Sequence, residues 1–480
     1  MKTYLGKRGY IIYKKEFDFN KLQEIKNELT VQPYVPEDYK NNQVEKFKVY
    51  GENKNKMYLP KFYGIEKIGP PDEIKIPRGL DANLDFIGTL RPNQIEPYNT
   101  TMKALNNYGG GILSLPCGYG KTALSLYIAS QFKLKTLVIV HKTFLLNQWK
   151  DRIKEFMPNA RIGIIQQKTV DTEDKDIVIG MLQSISMKEY AMTTFDCFGM
   201  LIIDECHRIS SKVYSKALRK TNCTYMLALS ATPTRKDGLT KVLKWHVGDI
   251  VFSIKRKGGS EVNVERFIIN SDNEAYNQEL VNFRGKPNMP KMINNITEYM
   301  NRTFLIVNRI KELINEKRRI LLLSDRRNHL ADIFKLVEQQ NICSVGYYVG
   351  GMKEKDLKIS SEMELILGTF SMANEGLDIP ALNTLILASP KSDIIQASGR
   401  ILRKAHVDIK PLIIDYVDNF SMFAGQARKR YKYFQGKKYN ITNIEITDEG
   451  DILSRKEYTK PERKNKKKID ITSNCLFSGI

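Results

Sequence analysis

The spacing of its apolar runs most constrains what this chain can fold into. From Asn83 onward, short β-branched runs alternate with stretches of helical periodicity. The runs are 111–115, 136–140, 162–165, 176–179, 200–203 and 225–229. A second series follows at 265–269, 319–323, 344–348, 364–367, 384–387 and 411–414. They are continuously apolar rather than alternating, the pattern of strands covered on both faces. Their alternation with helices predicts parallel sheets, and so an α/β chain with two lobes in tandem.

The flanks read differently. Residues 9–14 form an aromatic strand. Residues 20–29 place Leu22, Ile25 and Leu29 at helical spacing, with Asp18 or Asn20 as cap. Segments 46–50 and 57–63 flank the turn-rich 51–55, which predicts a hairpin. Pro70, Pro71 and Pro77 mark a linker. The expected layout is a small α+β N-terminal domain over 1–80, a first lobe over 81–255, a second over 256–440, and a basic C-terminal tail over 441–480. The tail is expected to be partly disordered.

Over 480 residues, 42% hydrophobic and 27% charged content is an ordinary globular balance. It excludes a collagen, a wholly disordered chain and a short disulfide scaffold. Lys plus Arg is 76 against 54 Asp plus Glu, and 76 − 54 leaves +22. An excess of that size favours a polyanionic partner. No apolar run approaches the roughly 18 residues that span a bilayer. Residues 1–17 are interrupted throughout by Lys and Arg, unlike a secretory signal. The six cysteines, Cys117, Cys197, Cys206, Cys223, Cys343 and Cys475, form no CxxC pair. They are expected to be reduced thiols of a soluble intracellular protein. Heavy use of Lys, Asn and Ile suggests an AT-rich genome, as in a large DNA virus or phage. In that case host cytoplasm or nucleus, and the virion, are the expected locations.

The strongest chemical signal is Leu115-Pro116-Cys117-Gly118-Tyr119-Gly120-Lys121-Thr122, between an apolar strand and a helical pattern. Glycines there let backbone N–H groups approach phosphates, and the helix N-terminus adds its dipole. Lys121 would hold the β- and γ-phosphates and Thr122 would hold Mg²⁺. Leu115 stands where the general pattern has its first glycine, and the plain alternative is a Gly-rich strand-to-helix turn. The second signal is the apolar run 200–203 ending in Asp204-Glu205-Cys206-His207. Asp204 would bind Mg²⁺, and Glu205 would orient and deprotonate the attacking water.

Further motifs follow in order: Ser230-Ala231-Thr232-Pro233, Gly368-Thr369, the segment 375–380, and Gln396-Ala397-Ser398-Gly399-Arg400-Ile401-Leu402-Arg403. Upstream lie Leu90-Arg91-Pro92-Asn93-Gln94 and Val140-His141-Lys142-Thr143. Together they resemble the superfamily 2 helicases, DExH type, over about 83–439. Segments 231–239, 381–385 and 389–393 are similar to the XPB-like branch, which includes phage and poxvirus enzymes. The resemblance implies RecA-like lobes, ATP with Mg²⁺, a nucleic-acid partner (DNA before RNA), and 3′-to-5′ movement. It assigns Gln94 to the adenine, and Cys117, Gly118, Tyr119, Gly120, Lys121 and Thr122 to phosphates and metal. Gly376 and Asp378 would meet the ribose, Arg400 and Arg403 the γ-phosphate, and Gln396 the attacking water. Ser230 and Thr232 would couple nucleotide state to strand grip. Thr143, Gln183, Ser324 and Thr369 would touch the strand backbone. ATP would draw the lobes together and its loss would release them.

Residues 421–440 carry Arg428, Lys429, Arg430, Lys432, Lys437 and Lys438, interleaved with Tyr431, Tyr433, Phe434 and Tyr439. They read equally as a strand-binding surface and as an amphipathic helix docking its rings on the second lobe. Transcription and repair machinery are the expected associates. Two other functional readings stay open: an RNA-directed member of the superfamily, and an ATP-gated binding component of a nucleoprotein particle.

Overall fold

The computed structural model describes residues 2–34, 45–116, 118–191, 193–208, 213, 215–235, 237–254, 262–283, 285–375, 377, 379–402 and 409–458. It divides into two compact units. The first takes Met1–Gly259 together with Phe370–Ala381 and Ile395–Ala405, and the remainder forms the second.

Six short strands open the chain: β1 (Thr3–Gly6), β2 (Gly9–Tyr13), β3 (Thr30–Val31), β4 (Phe47–Lys48), β5 (Gly51–Glu52) and β6 (Lys56–Leu59). Four of them form a sheet in the order β1-β2-β6-β5, while β3 pairs with β4. The helix Phe19–Glu28 starts where its cap predicts, with the Asp18 side chain accepting from the Lys21 N–H at 2.7 Å. The expected hairpin is shorter than its sequence pattern. Of residues 46–52 only Gly51–Glu52 pairs with β6, and Lys61–Lys67 is a helix rather than the end of a strand. The proline-rich stretch is strapped to β1: the Leu5 N–H donates to Glu73 O and the Lys75 N–H to Leu5 O.

The first large sheet takes β7 (Gly110–Ser114), β8 (Thr136–Val140), β9 (Ile162–Gln166), β10 (Thr169–Asp171), β11 (Ile177–Met181), β12 (Met200–Ile203), β13 (Tyr225–Ser230) and β14 (Ile250–Ser253). Their order is β10-β9-β11-β8-β12-β13-β7-β14, and every pairing but β10 with β9 is parallel. Both faces are buried, as the unbroken apolar runs require. Leu113, Val138, Ile202 and Leu227 face one core, while Ile112, Leu137, Leu201 and Ala228 face the other.

The second unit repeats the scheme with β15 (Asn263–Asn270), β16 (Ile320–Leu323), β17 (Val345–Tyr348), β18 (Leu365–Gly368), β19 (Thr384–Leu387), β20 (Leu412–Asp418), β21 (Asn440–Thr447) and β22 (Ile452–Glu457). The order is β17-β18-β16-β19-β20-β15-β21-β22, parallel except for β22. Residues 441–457, expected as tail, are therefore strands of this sheet. Ile441, Ile444 and Ile446 are buried and supply the reason. The basic stretch 463–468 lies outside the described residues.

The helix Ser421–Gly436 is a docked amphipathic helix. Phe423 and Phe434 are buried, and the Arg430 Nε donates to Asp415 Oδ1 at 2.7 Å. Arg428, Lys429 and Lys432 remain exposed. Of the two readings of 421–440, packing is therefore what the buried rings do.

One polar anchor joins the N-terminal part to the first large sheet. Lys61 is 4% exposed. Its Nζ donates to Thr224 O at 2.8 Å and to Gly109 O at 3.2 Å, just ahead of β13 and β7. Nearby, Tyr63 packs edge-on against Trp245 at 5.5 Å. Burial pushes the Lys61 ammonium down to about 8. Between pH 8 and its unfolded value of 10.5 the unfolded chain binds a proton that the folded chain has shed. Stability therefore rises with pH over that window, by up to about 3 kcal/mol. Denaturant unfolding at pH 7.5 and pH 10 should show this rise in the wild type relative to Lys61→Met. Parallel pH curves for the two proteins would contradict it.

Candidate functional site

Parallel strands end on a common edge, and the site is built along that edge of the first large sheet. The phosphate loop follows β7 and opens the helix Lys121–Phe132. Gly118 (φ +79°) and Gly120 (φ +84°) occupy the left-handed region that glycine enters without penalty. The loop base is fixed to the neighbouring strand by the Leu115 N–H donating to Ser230 O at 3.1 Å. Lys121 Nζ lies 3.2 Å from Leu115 O, folded back over the loop. Thr122 is the second residue of the helix and half-buried. Cys117 lies outside the described residues.

Gln94 is buried in the first turn of the helix Pro92–Tyr108. Its Nε2 donates to Tyr119 O at 3.1 Å and Gly120 O at 3.3 Å, and its Oε1 accepts from the Arg91 N–H at 3.0 Å. The Tyr119 hydroxyl donates to Asn93 O. The residue expected to read adenine thus also ties its own helix to the phosphate loop.

Asp204 and Glu205 follow β12 beside the loop. The Asp204 carboxylate is buried. Its Oδ2 accepts from the Trp149 indole N–H at 2.9 Å, and its Oδ1 from the Glu205 N–H at 2.9 Å. Burial, then the Glu205 charge, pushes the Asp204 carboxyl up, while the Trp149 N–H and the Lys121 charge pull it down. Glu205 holds a left-handed backbone, φ +48°. Its Oε2 is buried, 3.4 Å from His207 Nδ1, and makes no hydrogen bond among the described residues. Ser230 is fully buried at the end of β13. Its Oγ lies 3.2 Å from His207 Nδ1 and accepts from the Thr232 N–H at 3.1 Å. The two residues assigned to coupling are therefore bonded to each other and to the carboxylate segment.

The donor set suits Mg²⁺ carried by a nucleotide: one hydroxyl, Thr122, and one carboxylate, Asp204, both hard oxygens. No cluster of three or more His, Cys, Asp or Glu suited to a metal occurs among the described residues, so a protein-only metal cage is not what this edge offers.

The residues assigned to the strand differ among themselves. Thr143 is exposed at the start of the helix Thr143–Phe156, and its Oγ1 accepts from Gln166 Nε2 at 3.2 Å. Gln183 donates to His141 O at 2.7 Å. Thr369 is half-buried after β18. Ser324 corrects its assignment. It is fully buried after β16, its Oγ 3.1 Å from His329 Nδ1 and accepting from the Arg326 N–H at 3.2 Å. That hydroxyl bonds the turn ahead of the helix Arg327–Gln339 and is not exposed to a strand.

Gln396 is half-buried on the short helix Ile395–Ser398. Arg400 is buried, with Nη1 donating to Leu377 O at 2.8 Å. Gly376, Asp378 and Arg403 lie outside the described residues.

Sequence reasoning missed two residues. Trp149, six residues beyond the segment 140–143, has its ring in the core and its N–H on Asp204. A large aromatic on an amphipathic helix signals burial, and a buried indole N–H needs an acceptor. Arg235 was read only as part of a motif. Its guanidinium bonds Asp237 and the His207 carbonyl. Trp149→Phe keeps an aromatic ring but removes the pyrrole half with its donor, leaving a buried acceptor short of one bond and a smaller ring in the core. It should lower unfolding stability by about 1–3 kcal/mol, read from the denaturant midpoint. An unchanged midpoint would show that the bond contributes nothing.

Known proteins bear on the same residues. The chain matches the model of the type III restriction enzyme res subunit over residues 87–235. It matches the helicase conserved C-terminal domain over residues 305–405. A protein of Acanthamoeba polyphaga mimivirus, named "Putative ATP-dependent RNA helicase L396", is 38% identical over 476 residues, 96% of this chain and 91% of that protein. A helicase-named protein of Invertebrate iridescent virus 6 is 27% identical over 381 residues, 75% of this chain and 84% of its own length. Among solved structures, that of T4 UvsW aligns over 93% of this chain and 100% of its own, at 18% identity and a TM-score of 0.37. No described helix is long and apolar enough to cross a membrane.

Proposed function

Because this chain belongs to the superfamily 2 helicases, we propose that it is an ATP-driven DNA helicase or translocase moving 3′ to 5′ in transcription, repair or recombination. The observation carrying the ATP reading is the carboxyl edge of the first sheet, where one network joins the phosphate loop, Asp204, Glu205 and Ser230.

In this reading the Gly118 and Gly120 backbone and Lys121 cradle the phosphates of the substrate ATP. Thr122 and Asp204 would hold Mg²⁺, which would supply charge neutralisation to the phosphates when bound. Glu205 accepts a proton from the attacking water. The water oxygen bonds to the γ-phosphorus as the bond to the β,γ-bridging oxygen breaks and ADP leaves with its electrons. Trp149 keeps the Asp204 carboxylate turned toward the loop. Gln396 orients the water, and Arg400 and Arg403 stabilise charge on the transferring group. An arginine so used is worth about 10³–10⁵ in rate. Ser230 and Thr232 pass the nucleotide state to Thr143, Gln183 and Thr369, which hold the strand.

DNA and 3′-to-5′ polarity are supported by the resemblance of segments 231–239 and 381–393 to the XPB-like branch. A second reading, an RNA-directed helicase, is favoured by the name of the mimivirus relative, and an African swine fever virus protein 24% identical over 365 residues carries the same descriptive name. Steady-state ATPase with single-stranded DNA, forked DNA and RNA separates them, with Lys121→Ala as the blank. The proposal expects DNA to stimulate turnover at least tenfold and Lys121→Ala to abolish it. Stimulation by RNA alone would replace the first reading with the second. Tight strand binding without stimulated turnover would favour an ATP-gated clamp.

A further inference from the structure

We propose that Arg235 is a positioning residue for Glu205, an inference that rests on the hydrolytic reading above. Glu205 sits at φ +48°, the left-handed region that L-residues other than glycine enter uncommonly. The residues after it, Cys206–Arg208, form a 3₁₀ turn too short to satisfy its own carbonyls.

Arg235 supplies the missing restraint. Its Nη1 donates to the His207 carbonyl. Its Nε donates to Asp237 Oδ1 at 2.9 Å and its Nη2 to Asp237 Oδ2, so the guanidinium is held by a two-toothed carboxylate grip. The His207 ring lies 3.4 Å from Glu205 Oε2 and 3.2 Å from Ser230 Oγ. Fixing the His207 carbonyl therefore fixes the ring that faces the carboxylate.

The bracket is anchored behind as well. The Arg235 N–H donates to Thr240 Oγ1 at 2.8 Å, and the Leu239 N–H donates to Asp237 Oδ1 at 3.2 Å. The Tyr34 N–H donates to Asp237 O at 2.9 Å. Val31, Phe47 and Val49 from the N-terminal part share a buried cluster with Leu239 and Val242. The N-terminal part thus buttresses the loop that carries Arg235. Without the guanidinium, the Glu205 segment relaxes toward ordinary backbone geometry and its carboxylate leaves the line of attack. Misplacement on the order of 1 Å can cost about 10²-fold in rate.

The test is ATP turnover and nucleotide binding in the full-length protein with DNA present. Arg235→Ala should lower kcat about 10- to 100-fold while KM for ATP and the affinity for a fluorescent ATP analogue stay within about twofold. Added guanidinium at non-denaturing concentration should restore part of its kcat, and none in Lys121→Ala. Arg235→Lys keeps the charge without the fork and should also lose kcat at unchanged KM, which serves if the alanine variant does not fold. Wild-type kcat in the lysine and alanine variants would overturn the proposal alone. So would equal losses in kcat and nucleotide binding with no guanidinium rescue. An unmodified protein that turns over no ATP with either DNA or RNA would remove the hydrolytic reading and this proposal with it.

Discussion

The Asp204 carboxylate, taken out of water and held by the Trp149 indole N–H, is the interaction on which the rest of the first site depends. A buried carboxylate next to a second carboxylate resists ionisation, and burial does push Asp204 up. The indole bond and the Lys121 charge act the other way. The net shift stays upward, and the indole bond is what holds the carboxyl in place. It also explains why a core tryptophan lies on a helix that otherwise only covers the sheet.

From that point the site spreads through backbone rather than through a string of side chains. The Glu205 N–H closes on Asp204, Ser230 bridges His207 to the Thr232 N–H, and the Ser230 carbonyl receives Leu115. Two of these bonds, Ser230 to His207 and Leu115 to Ser230, join the ends of neighbouring parallel strands and tie the phosphate loop to the Ser-Ala-Thr segment. The sheet order makes this possible: β12, β13 and β7 are adjacent, and they carry the carboxylates, the coupling hydroxyls and the phosphate loop.

Much of this was legible in the sequence, for a physical reason. Strands buried on both faces are written as unbroken apolar runs, and residues 200–203 and 225–229 predict β12 and β13 almost to the residue. Loop chemistry was legible because few residue types tolerate the geometry, as at Gly118 and Gly120. Contacts between distant segments were not. Trp149 meets Asp204 across 55 positions, and no local pattern encodes that bond. Strands β21 and β22 were hidden by composition: β21 buries isoleucines but mixes them with Asn, Thr and Glu, and β22 is an exposed edge strand beside a lysine-rich stretch. Ser324 misled because a hydroxyl after a strand has the same appearance whether it bonds the buried turn that follows or faces solvent.

In the proposed reaction Glu205 takes the proton from water while its neighbours hold phosphate and metal. Single-turnover cleavage of γ-labelled ATP by Glu205→Gln tests it directly. The account predicts that the variant binds ATP as tightly as wild type and cleaves it about 10²–10⁴-fold more slowly. Cleavage at the wild-type rate with binding intact would contradict it.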